Sequence, residues 1–145
     1  MFLMAACASK TPSRIIDAMQ KRVDAVEHDV EQLYNQDFDY LVKQYQVLDT
    51  TVALTKDISY EMNLLQAYLQ QFETQRVTLK SEAKYSRKQL SDLKDDINNN
   101  LYDETTTLKY IQDEENELHR MEAQIKYFQE KFDAQKKVVK QLRKE

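Results

Sequence analysis

INNNLYDETTTL, running from Ile97 to Leu108, is the stretch on which the fold turns. Three consecutive asparagines are poor helix interior, because their short amides compete for backbone hydrogen bonds and tolerate left-handed conformations. Beyond them, Asn100 with Asp103, or Asp103 with the threonines that follow, offers a cap at which a helix can restart. The stretch therefore reads either as a weak spot in one very long helix or as a fold-back.

Charge on the two flanks favours the fold-back. From Arg76 to Lys94 the basic residues Arg76, Lys80, Lys84, Arg87, Lys88 and Lys94 outnumber Glu82 and Asp92. From Asp103 to Glu122 the balance reverses, with seven carboxylates against Lys109 and Arg120. Folding at the asparagines lays the first block along the second, whereas a parallel in-register dimer faces each block with itself. Single exposed pairs contribute only tenths of a kcal/mol, but whole blocks in the wrong register add up to a penalty. The same fold brings the basic C-terminal run (Lys136, Lys137, Lys140, Arg143, Lys144) toward Asp57 and Glu61.

The remainder of the chain reads as rod on both sides of this point. Ile16, Met19, Val23, Val26, Val30 and Leu33 begin an apolar seam with alternating three- and four-residue steps. Leu41, Tyr45, Leu48, Val52 and Thr55 continue it, followed by Ile58, Met62, Leu65, Leu69 and Phe72. Leu79, Ala83, Ser86, Leu90, Leu93 and Ile97 lead to the asparagines. Leu108, Ile111, Leu118, Met121, Ile125, Phe128, Phe132, Gln135, Val139 and Leu142 run beyond them. A seam this long with charges on most other positions is the coiled-coil signal. Facing pairs such as Leu79 with Leu118, Phe72 with Ile125 and Ile58 with Val139 follow from an antiparallel register centred on Asn98-Asn99.

Composition agrees. The 145 residues contain no Gly and a single Pro, 32% are charged and 41% hydrophobic, including nine Tyr and five Phe. Without Gly there is little turn chemistry, and so many apolar side chains exceed what a solvated disordered tail carries. The fold class is all-α: an elongated coiled coil whose long helix folds back as an antiparallel helical hairpin.

Toward the N-terminus, Ser13 is the expected cap for a helix entering at Arg14. Between Leu33 and Leu41 the spacing is four plus four, a stutter that locally unwinds a supercoil. A turn at Asn35–Asp37 would instead bring Asp24, Glu27, Asp29 and Glu31 near Asp37, Asp39 and Asp49, so the helix is expected to continue through it. This gives a long helix over 14–97, a hairpin turn at 98–103 and a return helix over 104–145. The apolar stripe of the N-terminal half then has no facing helix within the chain, and self-association or a protein partner is expected to cover it.

Little in this chain resembles catalytic machinery. His28 and His119 are far apart, and although Asp24 and Glu115 each precede one by four residues, two ligands make no stable metal site. Carboxylate pairs such as Asp95-Asp96 and Glu114-Glu115 lack a pocket in which a pKa could be tuned. There is no Gly-rich phosphate loop, nucleophile elbow or Cys-His arrangement. With a net charge of −4 and a pI near 5.3, nucleic acid is not an expected partner either. The reading is a non-enzyme with no catalytic residue, no metal, no cofactor and no small-molecule substrate. Most tyrosines flank the seam, their rings widening the buried stripe. Tyr102 beside Leu101 is the expected partner contact, because a hairpin end exposes residues that no helix faces.

The chain opens MFLMAACASKTPS. Phe2-Leu3-Met4-Ala5-Ala6 has the character of the end of a signal-peptide apolar region. Leu3-Met4-Ala5-Ala6-Cys7 resembles the lipobox of bacterial lipoproteins, with Met4 where that motif usually has Leu. The resemblance implies that 1–6 is a signal-peptide remnant, that Cys7 is acylated as the mature N-terminus, and that 7–13 is attachment point and tether. No basic region precedes Phe2, so Met1 is expected to be an internal methionine of a longer precursor, or the sequence to have been trimmed. The resemblance further implies a bacterial envelope protein held to the bilayer, at the outer membrane facing the periplasm, and the rod is then expected to work as a coiled-coil spacer, scaffold or adaptor. The rival readings are an intracellular coiled-coil scaffold subunit without lipidation, and a helical-arm holdase chaperone.

Overall fold

A computed structural model describes residues 11–51 and 55–144 of the chain. Helix α1 spans Pro12–Gln32 and passes without a break through a π-helical segment, Leu33–Phe38, into α2, Asp39–Thr51. Helix α3 spans Lys56–Asn98 and α4 spans Glu104–Lys144. The chain is all-α, and three arms of similar length pack against one another: α1 through α2, then α3, then α4. At 1.5 Å per residue the 43 residues of α3 give a rod about 65 Å long.

The long helix expected over 14–97 is corrected to two antiparallel arms. The first ends at Thr51, and the second starts at Lys56 with Thr55 as its cap. The Thr50 hydroxyl donates to the Val47 carbonyl at 3.1 Å, turning back onto the last turn of α2. The Thr55 hydroxyl accepts from the Ile58 amide at 3.3 Å, and Asp57 places a carboxylate in the first turn, where the helix dipole favours it. Expected seam residue Val52 lies outside the described residues, and Thr55 is an exposed cap instead of a core position. The helix start also moves, since Thr11 is the N-cap and Pro12 occupies the first turn. There the missing N–H has no helical partner to lose.

The reversal covers the stripe for which other copies or a partner were expected. Ile16, Val23, Val30, Leu33, Leu41 and Leu48 are all buried within the chain. Electrostatics follow the same geometry. The basic block of α3 faces the carboxylates of α1, and the expected match with the acidic block of α4 is not what forms. Lys94 meets Asp17 at 2.6 Å, Arg87 meets Asp24 at 2.6 Å and Glu27 at 2.7 Å, and Lys80 pairs with Glu31. The acidic block of α4 is served from α1, where Arg22 grips Glu115 at 2.7 Å and also Glu122. Between α3 and α4 the polarity is inverted, with Arg120 of α4 at 2.7 Å from Glu82 of α3. Further along, Lys136 pairs with Asp37 of the π segment, and Arg143 donates to Gln44 at 2.8 Å.

The π segment is the structural form of the stutter. Leu33 and Leu41 stand eight residues apart, one more than two coiled-coil turns hold. A π turn takes in roughly one residue more than an α turn, so both leucines remain buried on one face. The same segment delivers Phe38 to the centre of the bundle. Its ring stacks on Tyr34 at 5.2 Å and lies 5.5 Å from Phe72. Phe72 in turn meets Phe128 and Phe132 edge-on, both at 5.1 Å. The expected Phe72–Ile125 register is therefore displaced by about one turn along α4. Arg76 closes the aromatic chain on the outside, with its guanidinium 3.8 Å above the Tyr34 ring. Besides Thr55, the described seam positions Tyr45, Ile58, Ile97 and Leu142 are only partly buried, and one near the turn faces outward. Leu108 is 52% exposed, and Thr107 is buried in its place, because α4 starts afresh at Glu104 and resets the helical phase.

Candidate functional site

The tip is built by two capping devices. Asn99 ends α3 near φ −90°, and Asn100 takes φ 54°, the left-handed conformation that asparagine tolerates better than most residues. The Leu101 amide donates to the Asp96 carbonyl and the Asn100 amide to the Ile97 carbonyl, both at 3.0 Å. This is the Schellman arrangement with asparagine in the place of glycine. Two residues on, the Asp103 carboxylate accepts from the Thr106 amide at 2.7 Å and starts α4. Of the two caps open to the sequence, Asp103 with the threonines is the one formed. Those hydrogen bonds from Thr106 hold the Asp103 carboxyl below its ordinary pKa.

These caps fix Leu101 and Tyr102 at the end of the rod, where the sequence reading expects them to be free for contact. Leu101 is 62% exposed. The Tyr102 hydroxyl donates to Asp96 at 2.9 Å, and its ring meets Tyr110 edge-on at 5.0 Å. The bond to Asp96 raises the phenol pKa, since losing the proton would set two anions side by side. Below the two rings is an open groove of about 200 Å³, lined also by Asp92, Leu93, Asp113 and Glu114. Burial, and then Glu117 and Asp113 alongside, push the Glu114 carboxyl above its ordinary pKa.

The sequence reading leaves Asp96 and Tyr110 out of this site. Each sits within two turns of the hairpin, so distance from the tip was the available signal. The Glu115–His119 pair does form, with Nε2 3.0 Å from the carboxylate, whereas Asp24 engages Arg87. Among the described residues no group of three His, Cys, Asp or Glu side chains could hold a metal ion, and no helix is long and apolar enough to cross a membrane. Cys7, the expected lipid-attachment residue, lies outside the described residues. What the tip offers is a shaped surface of aromatic faces, one aliphatic side chain and carboxylates.

No protein-family model matches this chain, and no curated protein or solved structure matches it.

Proposed function

We propose that this chain is a non-enzymatic bacterial envelope lipoprotein, anchored through acylated Cys7 and acting as a rigid three-helix spacer or adaptor in the periplasm. The observation that carries the spacer reading is mechanical. Three arms of nearly equal length share one core, and interhelical ion pairs recur from Asp17–Lys94 to Asp37–Lys136, over about half of the first arm. A bundle of this kind resists bending better than a single helix or a two-helix hairpin. Its proportions suit holding something at a fixed distance. The anchor reading is supported by Leu3-Met4-Ala5-Ala6-Cys7 and by the short polar run Ala8–Thr11 leading into Pro12. Several acyl chains on one cysteine give firm attachment, each buried methylene contributing about 0.8 kcal/mol.

Intact mass of the protein expressed from its natural upstream sequence tests the reading. Diacylglycerol and acyl additions on Cys7 support it; a bare Cys7 favours the intracellular scaffold. The codons upstream of Met1 discriminate in the same way, by supplying basic residues followed by apolar ones or by failing to. A holdase would have to suppress aggregation of unfolded clients, and this chain is expected not to, because its large apolar seam is closed.

A further inference from the structure

We infer that the hairpin tip is the membrane-proximal end of the rod, with Leu101 and Tyr102 resting on the headgroup layer of the bilayer that holds Cys7. The Thr51–Lys56 reversal and the C-terminus then form the outward-reaching end. This rests on the lipid-anchor reading above, and it inverts the simplest picture drawn from the sequence. A single helix over 14–97 would carry the tip about 125 Å from the anchor.

The ends of the elements decide it. Asp17 and Lys94 are bonded at 2.6 Å across two antiparallel helices. Pro12 lies five residues before Asp17, and Asn98 lies four residues after Lys94. Both continue toward the same end by about 6–8 Å, so the start of α1 stands level with the tip. From Cys7 to Pro12 the chain can reach at most about 18 Å, even fully extended. The rod is about 65 Å long. A tether that short keeps the tip end beside the bilayer and leaves the other end remote whenever the rod stands up.

The chemistry of the tip suits that position. Leu101, Tyr102, Leu108 and Tyr110 are exposed at 62%, 36%, 52% and 39%, and all four lie within about two turns of the hairpin. Tyrosine is favoured at the headgroup level, where its ring meets apolar matter and its hydroxyl meets water. Leu108 is the seam leucine that the helical phase turns outward, and a lipid surface gives it something to cover. Asp92 and Asp96 line the groove beside Tyr102 and Tyr110, and Asp103 and Glu104 follow Tyr102 in the chain, while exposed Lys109 and Arg14 lie at the same end. The carboxylates outnumber the two cations, so this end is net acidic, charges of both signs bar deep insertion, and the surface that fits is a zwitterionic headgroup layer. The exposed basic residues Lys137, Lys140 and Arg143 sit at the opposite end.

The full chain allows a direct test, since Cys7 is its only cysteine and it has no tryptophan. The protein is coupled through Cys7 to a maleimide-bearing lipid in phosphatidylcholine vesicles containing brominated acyl chains. Leu101→Trp and Tyr60→Trp serve as single reporters, Tyr60 being exposed near the opposite end. The expected result is a blue shift and a roughly twofold or greater loss of emission at position 101, with none at position 60. Emission at position 101 equal to that in plain vesicles overturns the orientation, as does quenching at position 60 alone. Chemical coupling makes this independent of natural lipidation: a bare Cys7 in native protein would remove the anchor reading, while an unquenched position 101 in coupled protein removes the orientation.

Discussion

Arg22 of α1 forks between two carboxylates of α4, meeting Glu115 with Nη1 at 2.7 and 2.8 Å and Glu122 with Nε at 3.3 Å as well as through Nη2. One side chain thereby fixes the parallel register of the first and third arms. His119 sits alongside, 3.0 Å from Glu115. The side-chain bonds to Glu122 and then Glu115 raise the already high pKa of Arg22 further, so its guanidinium stays charged throughout the neutral range.

Arg22→Ala is expected to lower stability by about 1–2 kcal/mol at low salt, because it strands two half-buried carboxylates near each other. Arg22→Lys should recover only part of that, since an ammonium cannot span both carboxylates with a planar fork. Urea unfolding at two salt concentrations measures both effects, and the loss should shrink as salt rises.

Phe72 is fully buried and touches the rings of Phe38, Phe128 and Phe132, so all three arms meet on it. Phe72→Ala should cost about 3–5 kcal/mol, the usual range for an aromatic ring removed from a close-packed core. Phe132→Ala should cost a comparable amount, and the double variant less than the sum, because the two rings share one cavity. Thermal or denaturant unfolding of the three variants provides the comparison.

Asn100 is the described non-glycine residue at positive φ. Asn100→Gly should be neutral or slightly stabilising, while Asn100→Val should cost about 1–2 kcal/mol, since a β-branched side chain crowds the left-handed conformation. Amide hydrogen exchange should place the loss at the end of α3, where the Leu101 and Asn100 amides are bonded.

Glu114 supplies a pH dependence of defined sign. Burial raises its folded-state pKa above that of the unfolded chain, so folding favours the protonated form. Its contribution is fully present below the unfolded pKa and is lost as pH rises through the folded one. Glu114→Gln should therefore melt higher than the parent at neutral pH, and the difference should vanish in acid. Paired melting curves across that range test this. Asp103 behaves in the opposite sense. Its lowered pKa makes the α4 cap effective above the ordinary carboxylate range and weaker as pH falls through the folded value.

The hairpin at Ile97–Leu108 was legible because asparagines and an acidic cap act locally, and local chemistry shows in a short window. The stutter was legible for a related reason: spacing between Leu33 and Leu41 is counted directly, and the π segment is what such spacing becomes. The reversal after Thr51 was not legible. No glycine or proline marks it, and Val52 keeps the apolar rhythm going across the gap. Its clearest sign lay elsewhere, in the match between Asp17, Asp24, Glu27 and Glu31 and the basic residues of α3. That match appears only once a fold-back near residue 53 is considered. At the tip, Leu101 and Tyr102 follow from position alone. Asp96 and Tyr110 depend on how the chain crosses the turn, which the Asn100 conformation sets.

In the three-helix bundle the start of α1 and the hairpin tip lie at the same end. Electron–electron distance measurements between a spin label on Cys7 and a second at Leu101→Cys or Tyr60→Cys test this most directly. The bundle predicts less than about 35 Å to position 101 and more than about 40 Å to position 60. A distance to position 101 longer than that to position 60, as one unbroken helix over 14–97 would give, contradicts it.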